Sequence, residues 1–292
     1  VILATGGPAG IYRDSVYPES QTGSIGMAVK IGAEAQNLNI SQFGIASTKF
    51  RWNLSGSYQQ VIPRYFSVRQ DGTNEREFLQ CNFPDEPTLF TAIFLKGYQW
   101  PFDPKKVDHF GSSLIDMLVQ AETISGRKVY IDFTRNPEGF SRDCLQPEAL
   151  EYLERSGAWA ETPIDRLRLL NQPAIDLYLS HAIDITKEPL EIAVCSQHNN
   201  GGLVGDIWWE SNIRHLFPVG EVNGSHGNTR PGGSALNAGQ VGSIRAAMKI
   251  AKDYPYPPSG NASPKAFLDT IHRLLNNTGN VNYRDARAEL QS

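Results

Sequence analysis

The sequence contains no Gly-x-Gly, and so no Gly-x-Gly-x-x-Gly turn of the kind that seats a dinucleotide pyrophosphate between a strand and a helix. It has three cysteines, Cys81, Cys144 and Cys195, far apart and without a Cys-x-x-Cys pair. That argues against a thiolate metal site or redox motif, and the sparse, odd count fits a reducing, cytoplasmic setting with all three thiols as small core residues. No window approaches the roughly 18 apolar residues of a membrane-spanning helix. Basic residues are not in surplus: 27 Lys and Arg face 31 Asp and Glu, for a formal charge of −4. With no basic stripe carrying interleaved aromatics, nucleic acid is not an expected partner. What is present is ordinary for a soluble globular chain, 40% hydrophobic and 20% charged over 292 residues, enough for one large or two moderate domains.

The most informative stretch is residues 220–236, Gly-Glu-Val-Asn-Gly-Ser-His-Gly-Asn-Thr-Arg-Pro-Gly-Gly-Ser-Ala-Leu. A short apolar run, His215 to Val219, precedes it and reads as a strand. A helical pattern follows, with Leu236, Val241, Ile244, Met248 and Ile250 among small residues. Strand, glycine-rich turn and helix together suit close approach of a ligand. Glycine lets backbone come near it, and a helix start offers free N–H groups and a positive dipole end.

This segment resembles the FAD-binding flavoprotein family of fumarate reductase, succinate dehydrogenase and L-aspartate oxidase. The matching positions are Gly220, Glu221, Val222, Gly224, His226, Gly227, Asn228, Arg230, Gly232, Gly233, Ser234 and Leu236. Further segments resemble the same family. Leu3-Ala4-Thr5-Gly6-Gly7 is a strand entering a glycine pair. Thr22-Gly23 opens the next helix, with Ser24 in place of an acid. Gln197 to Gly202 is similar to the element that returns from an inserted domain, and Gly126 to Asp132 is similar to a strand entry within it. The family's dinucleotide turn would lie before Val1, so the chain reads as a fragment that starts in mid-strand.

The resemblance implies an α/β fold: part of a FAD-binding, Rossmann-like domain with an inserted α+β cap. The expected boundaries are 1–48 for the first part of the FAD-binding domain, 49–192 for the cap or substrate domain, 193–255 for the return segment, and 256–292 for a C-terminal helix and tail. Helices are expected over about 22–35, around 114–121, and near 147–156 and 163–170. A further one is expected over Pro264 to Leu275 with Phe267, Leu268, Ile271 and Leu274 inward, followed by a frayed end.

The implied cofactor is FAD, held by Ala4, Thr5, Gly6, Gly7, Thr22, Gly23, Glu221, Arg230, Gly233, Ser234, Ala235 and Leu236. Flavin reduction puts negative charge on the ring edge, which a helix N-terminus stabilises. His198 and Arg230 match the family's carboxylate-holding pair. An arginine fork binds both oxygens of a carboxylate. His226 reads as a turn or flavin-side residue. No metal site is expected. The implied partners are a small carboxylate substrate and an electron-transfer protein.

Several departures stand against the standard chemistry. Gln42-Phe43-Gly44-Ile45 replaces Gln-Phe-His-Pro. Ser55 to Gln60 carries neither the Glu nor the Arg of Thr-Glu-x-x-Arg-Gly. Ser112 and Ser113 stand where the proton-donating arginine belongs, and no arginine lies between Arg76 and Arg127. Tyr58, Arg64, Lys96 and His109 are the substitutes within range. Trp208-Trp209 would point to opposite sides if extended. A non-catalytic flavoprotein-like binding protein and a Rossmann-type nicotinamide dehydrogenase remain as alternatives.

Overall fold

Seven residues of alternating size, Ser41–Ser47, form the longer of two strands around which one half of the molecule is built. In the computed structural model the described residues are 1–231, 233–256, 265, 268–269, 272–273, 276, 279 and 282–291. The contacts divide the chain into unit 1 (residues 1–13, 21–39 and 200–292) and unit 2 (14–20 and 40–199). The division falls ahead of Ser41 and after Asn199, where the expected boundaries stood at 48/49 and 192/193. The shift has a plain cause, since strand Ser41–Ser47 pairs along its whole length with the return strand, and paired strands cannot belong to different units.

Unit 2 is a five-stranded antiparallel sheet with helices over it. Its strands are β3 (Ser41–Ser47), β4 (Trp52–Asn53), β5 (Arg64–Val68), β6 (Lys128–Asp132) and β7 (Leu190–Asn199), in the order β4-β3-β7-β6-β5. The helices are α2 (Ser57–Gln60), α3 (Glu86–Lys96), α4 (Ser113–Ile124), α5 (Pro147–Arg155) and α6 (Pro163–Ser180). Asp85 caps α3 by accepting from the Thr88 N–H at 2.8 Å, and Pro87 sits in its first turn, where no N–H is needed. α4 turns Ile115 and Val119 inward, as its spacing predicts.

α6 runs well beyond the expected 163–170. It breaks at Asn171 (φ −160°, ψ 72°) just before Pro173, whose ring cannot accommodate the carbonyl four residues back. The core joins these helices to the sheet through Ile45, Tyr65, Phe90, Phe94, Ile131 and Tyr178, among others.

Unit 1 is a mixed helix-and-sheet body. β1 (Ile2–Leu3) pairs in parallel with β9 (Phe217–Pro218), Ile2 opposite Phe217. β2 (Ala35–Gln36) pairs antiparallel with β8 (Gly202–Leu203). Its helices are α1 (Ile25–Lys30), shorter than the expected 22–35, α7 (Ser234–Asp253) and α8 (Tyr283–Leu290). α7 inverts the expected burial. Gly242 and Ala246 face inward, while Leu236, Val241, Ile244 and Met248 are exposed. The reason is Trp209, whose indole lies so close to Gly242 that an added Cβ there would come within 2.5 Å of Nε1. Only a small residue fits beneath it.

The Trp208-Trp209 pair is not extended. Asp206 accepts from the N–H groups of Trp208 and Glu210 and turns the chain, leaving Trp209 at φ 63°. The chain end is not frayed: Asn282 caps α8 by accepting from the Arg284 N–H. Of the expected 264–275 helix, Phe267, Ile271 and Leu274 lie outside the described residues, and Leu268 is exposed. Among the described residues, no helix is long and apolar enough to cross a membrane.

Candidate functional site

In unit 1 three sequence segments converge. Ala4 to Gly7 leaves β1 and turns at Gly6, which has φ 69°. The Gln21 side-chain amide donates to the Thr5 carbonyl and crosses Gly6 so closely that a Cβ there would lie 2.8 Å from Nε2. A Cβ at Gly7 would lie 2.6 Å from Glu221 Oε1, so the Glu221 carboxylate rests on the glycine pair. Gly23, at φ 68°, lies against the backbone of Gly7 and Pro8. The expected positions Ala4, Thr5, Gly6, Gly7, Thr22, Gly23 and Glu221 thus share one region, although Glu221 is far from the others in sequence.

Arg230 is 7% exposed, and its positive charge reaches His226. Burial pushes the His226 imidazole below its ordinary pKa, Arg230 adds to that, and Glu221 opposes it, so His226 is held neutral. α7 begins at Gly233 in the left-handed region (φ 80°), with no side-chain cap and no acid in its first turn. Ser234 does not cap it; its hydroxyl donates back to the Pro231 carbonyl at 2.7 Å. Ala235 and Leu236 follow in the first turn.

These residues fit the flavin nucleotide that the sequence resemblance implies. The Thr5 hydroxyl is buried with no hydrogen-bond partner among the described residues. A Cβ built at Gly220, Gly227 or Gly233 would meet no atom within 4 Å. A spare polar group, open glycines and an uncapped helix start are what a phosphate- or ring-bearing ligand needs.

His198 lies in unit 2, near the end of β7 and directly opposite Gln42 of β3; it is 6% exposed. Register places Gln42, Gly44 and Ala46 on one face of β3, with His198, Cys195 and Ala193 beside them on β7. Gln197 is the extra residue at the irregularity and donates to the Gly44 carbonyl at 2.9 Å.

The possible substitutes for the missing arginine are occupied elsewhere. Lys96 is ion-paired with Asp116 in the core. Arg64 pairs with Glu75 and Glu77. The Tyr58 hydroxyl donates to the Ala174 carbonyl at 3.0 Å, and burial pushes its pKa up to about 12. His109 is exposed. Ser112 donates to Gln99 at 2.7 Å. Sequence reading missed Trp100, which packs against Gly44; the loss of a side chain at position 44 was the only signal of it.

No family model matches the chain. The fumarate reductase (CoM/CoB) flavoprotein-like relative from Methanothermobacter marburgensis, one component of that enzyme, is 42% identical over 77 residues, 26% of this chain and 14% of its own length. An uncharacterized FAD-dependent oxidoreductase of Methanocaldococcus jannaschii is 44% identical over 79 residues, with the same coverage of 26% and 14%. L-aspartate oxidase of Clostridium perfringens is 26% identical over 254 residues, covering 86% of this chain and 46% of its own length. A solved quinol–fumarate reductase with menaquinol molecules matches all of this chain at 18% identity and a TM-score of 0.64, over 47% of its own chain. At that identity the likeness shows the fold alone. The chain therefore spans about half the length of the relatives that match most of it.

Proposed function

The chain's relatives are a fumarate reductase component, L-aspartate oxidase and a FAD-dependent oxidoreductase, and its fold is similar to that of a fumarate reductase. From that premise we propose that it is part of a FAD-dependent oxidoreductase acting on a small molecule with a carboxylate or carbonyl group. Unit 1 is the flavin-binding side and unit 2 the cap. The bound flavin supplies hydride transfer, and an electron-transfer protein completes the cycle. The observation that carries this reading is the packing of Glu221 on the Gly6–Gly7 turn. Two segments that resemble the same family separately form one surface here.

This chain's own residues have distinct parts. Arg230 grips a substrate carboxylate by its fork, and His198 holds a second oxygen from the cap. Glu221 and the start of α7 hold the ring. Proton delivery does not follow the arginine route, because Ser112 stands in its place and Lys96 and Arg64 are committed to ion pairs. Fumarate reduction by that route is therefore not the proposed reaction.

The test is titration of FAD with the purified 292-residue chain, followed by flavin fluorescence, with NAD as competitor. The expectation is weak, saturable quenching that NAD does not reverse, because the sequence carries no Gly-x-Gly-x-x-Gly turn to add binding energy from the ADP half. Tight nicotinamide binding, or no response to FAD at millimolar concentration, would overturn the reading. The second result would favour a protein that keeps the fold without the cofactor.

A further inference from the structure

Trp100 carries a buried indole N–H that has no hydrogen-bond partner among the described residues. Buried donors without acceptors are rare and call for a cause. The edge of the ring that bears this N–H lies over β3 at Gly44. A Cβ added there would stand 2.5 Å from Nε1, 3.1 Å from Cδ1 and 3.3 Å from Cε2. Any other residue at position 44 would displace the indole, so glycine at 44 and tryptophan at 100 are a matched pair.

The segment that carries Trp100 is held firmly. The Phe102 N–H donates to the Phe43 carbonyl at 2.8 Å, the Asp103 N–H to Ser113 Oγ at 3.0 Å, and Ser112 Oγ to Gln99 Oε1 at 2.7 Å. The indole is therefore aimed by three hydrogen bonds from its neighbours. The sheet face it covers is the one that carries Gln42 and His198.

We infer that Trp100 is a specificity-determining residue of unit 2, whose indole N–H donates to an oxygen of a small carboxylate substrate bound on the face of β3 and β7 shared by Gln42, Gly44 and His198. This rests on the proposed substrate class and deepens it. An indole donates one hydrogen bond and accepts none, and it carries no charge. It selects an acceptor without titrating, where a histidine would add a proton to gain or lose. In the free protein the N–H is sealed from water, so an acceptor reaches it only with a small shift of the ring, and Gly44 offers no side chain to resist that shift. Binding must then change the environment of Trp100.

The experiment uses the 292-residue chain with succinate as probe, followed by tryptophan emission and by the thermal unfolding midpoint. Trp100→Phe keeps most of the ring and removes the donor. Benzothienylalanine at position 100 keeps the bicyclic shape with sulfur in place of N–H, and serves if the phenylalanine variant folds poorly. The expected result is a Kd for succinate raised about tenfold in either variant, within the range for a hydrogen bond to a charged group. Loss of the emission change on binding should accompany it, and the unfolding midpoint without ligand should be unchanged or higher.

Equal affinity in wild type and variants would overturn the inference. So would a lower midpoint without ligand in the benzothienylalanine protein, because the N–H would then have a partner already. Failure of the wild-type chain to bind succinate at all also counts against it. The flavin titration is independent. A lost flavin response with the succinate difference intact removes the oxidoreductase reading and leaves Trp100 a carboxylate donor; the reverse removes Trp100 alone.

Discussion

Lys96 of α3 and Asp116 of α4 form an ion pair inside the core of unit 2, their side chains 0% and 2% exposed. Burial pushes the lysine down and the aspartate up, and their mutual attraction opposes both shifts. Removing one partner leaves the other charge buried and alone. Lys96→Met should cost about 3–5 kcal/mol, whereas Lys96→Met with Asp116→Leu should recover most of that loss. Urea unfolding of the two proteins beside wild type checks this. A loss below about 1 kcal/mol in the single variant would mean that water reaches the pair.

Glu210 ties the loop after β8 to the end of α7. It accepts from the Tyr254 hydroxyl at 2.6 Å and the His215 N–H at 2.8 Å, with Lys249 3.6 Å away. Burial alone would raise its pKa; these contacts outweigh it, and the carboxyl ends below its ordinary value. A depressed acid stabilises the fold above its unfolded pKa, about 4.3, and that stability is lost as pH falls through the lower folded value. Tyr254→Phe removes one lowering contact, so acid unfolding of unit 1 should move to higher pH, with the difference vanishing once Glu210 is protonated in both proteins. Near-ultraviolet circular dichroism against pH reads this through Trp208 and Trp209. Coincident acid curves would count against it.

Much of this was legible in the sequence, and what was hidden had particular causes. The Gly220 to Leu236 segment, the Gln197 to Gly202 return and the start of α5 at Pro147 were visible because glycine, proline and ordered spacing leave local marks. α3 was not, since Leu89, Phe90, Ala92, Ile93 and Phe94 are buried nearly all round it and no polar face breaks the run. The second half of α6 was hidden by Pro173, which breaks the helix without ending it. α7 misled because its large apolar residues face outward and its small ones face Trp209. The meeting of Trp100 with Gly44 joins two loci that share no local pattern, and only the folded sheet brings them together.

The three thiols should separate cleanly by reactivity. Cys81 is exposed, Cys144 half-buried and Cys195 buried. Burial pushes the Cys195 thiol up to about 12, with Asp14 adding to the rise and Arg51 opposing it. Reaction needs thiolate and access, and Cys195 has neither. With Ellman's reagent at pH 8, Cys81 should react first and Cys144 more slowly, with Cys195 reacting only after urea is added. Three equally fast thiols in the native protein would show that strand β7 opens.

Gly233 offers a way to separate fold from ligand in unit 1. It starts α7 at φ 80°, and a Cβ there would meet no atom within 4 Å. Alanine at this position pays only for the left-handed backbone, about 1 kcal/mol. Gly7 differs: a Cβ there would strike the Glu221 carboxylate at 2.6 Å and push it off the turn. Gly233→Ala should therefore fold with a small loss of stability, yet weaken flavin binding, because its methyl group would enter the space proposed for the ligand. Gly7→Ala should lose both. The measurements are chemical unfolding without ligand and flavin-fluorescence titration of each variant with FAD. If Gly233→Ala binds FAD as wild type does while Gly7→Ala does not, the ligand lies against the Gly6–Gly7 turn and Glu221, away from the start of α7. The helix would then have no part in holding the ring.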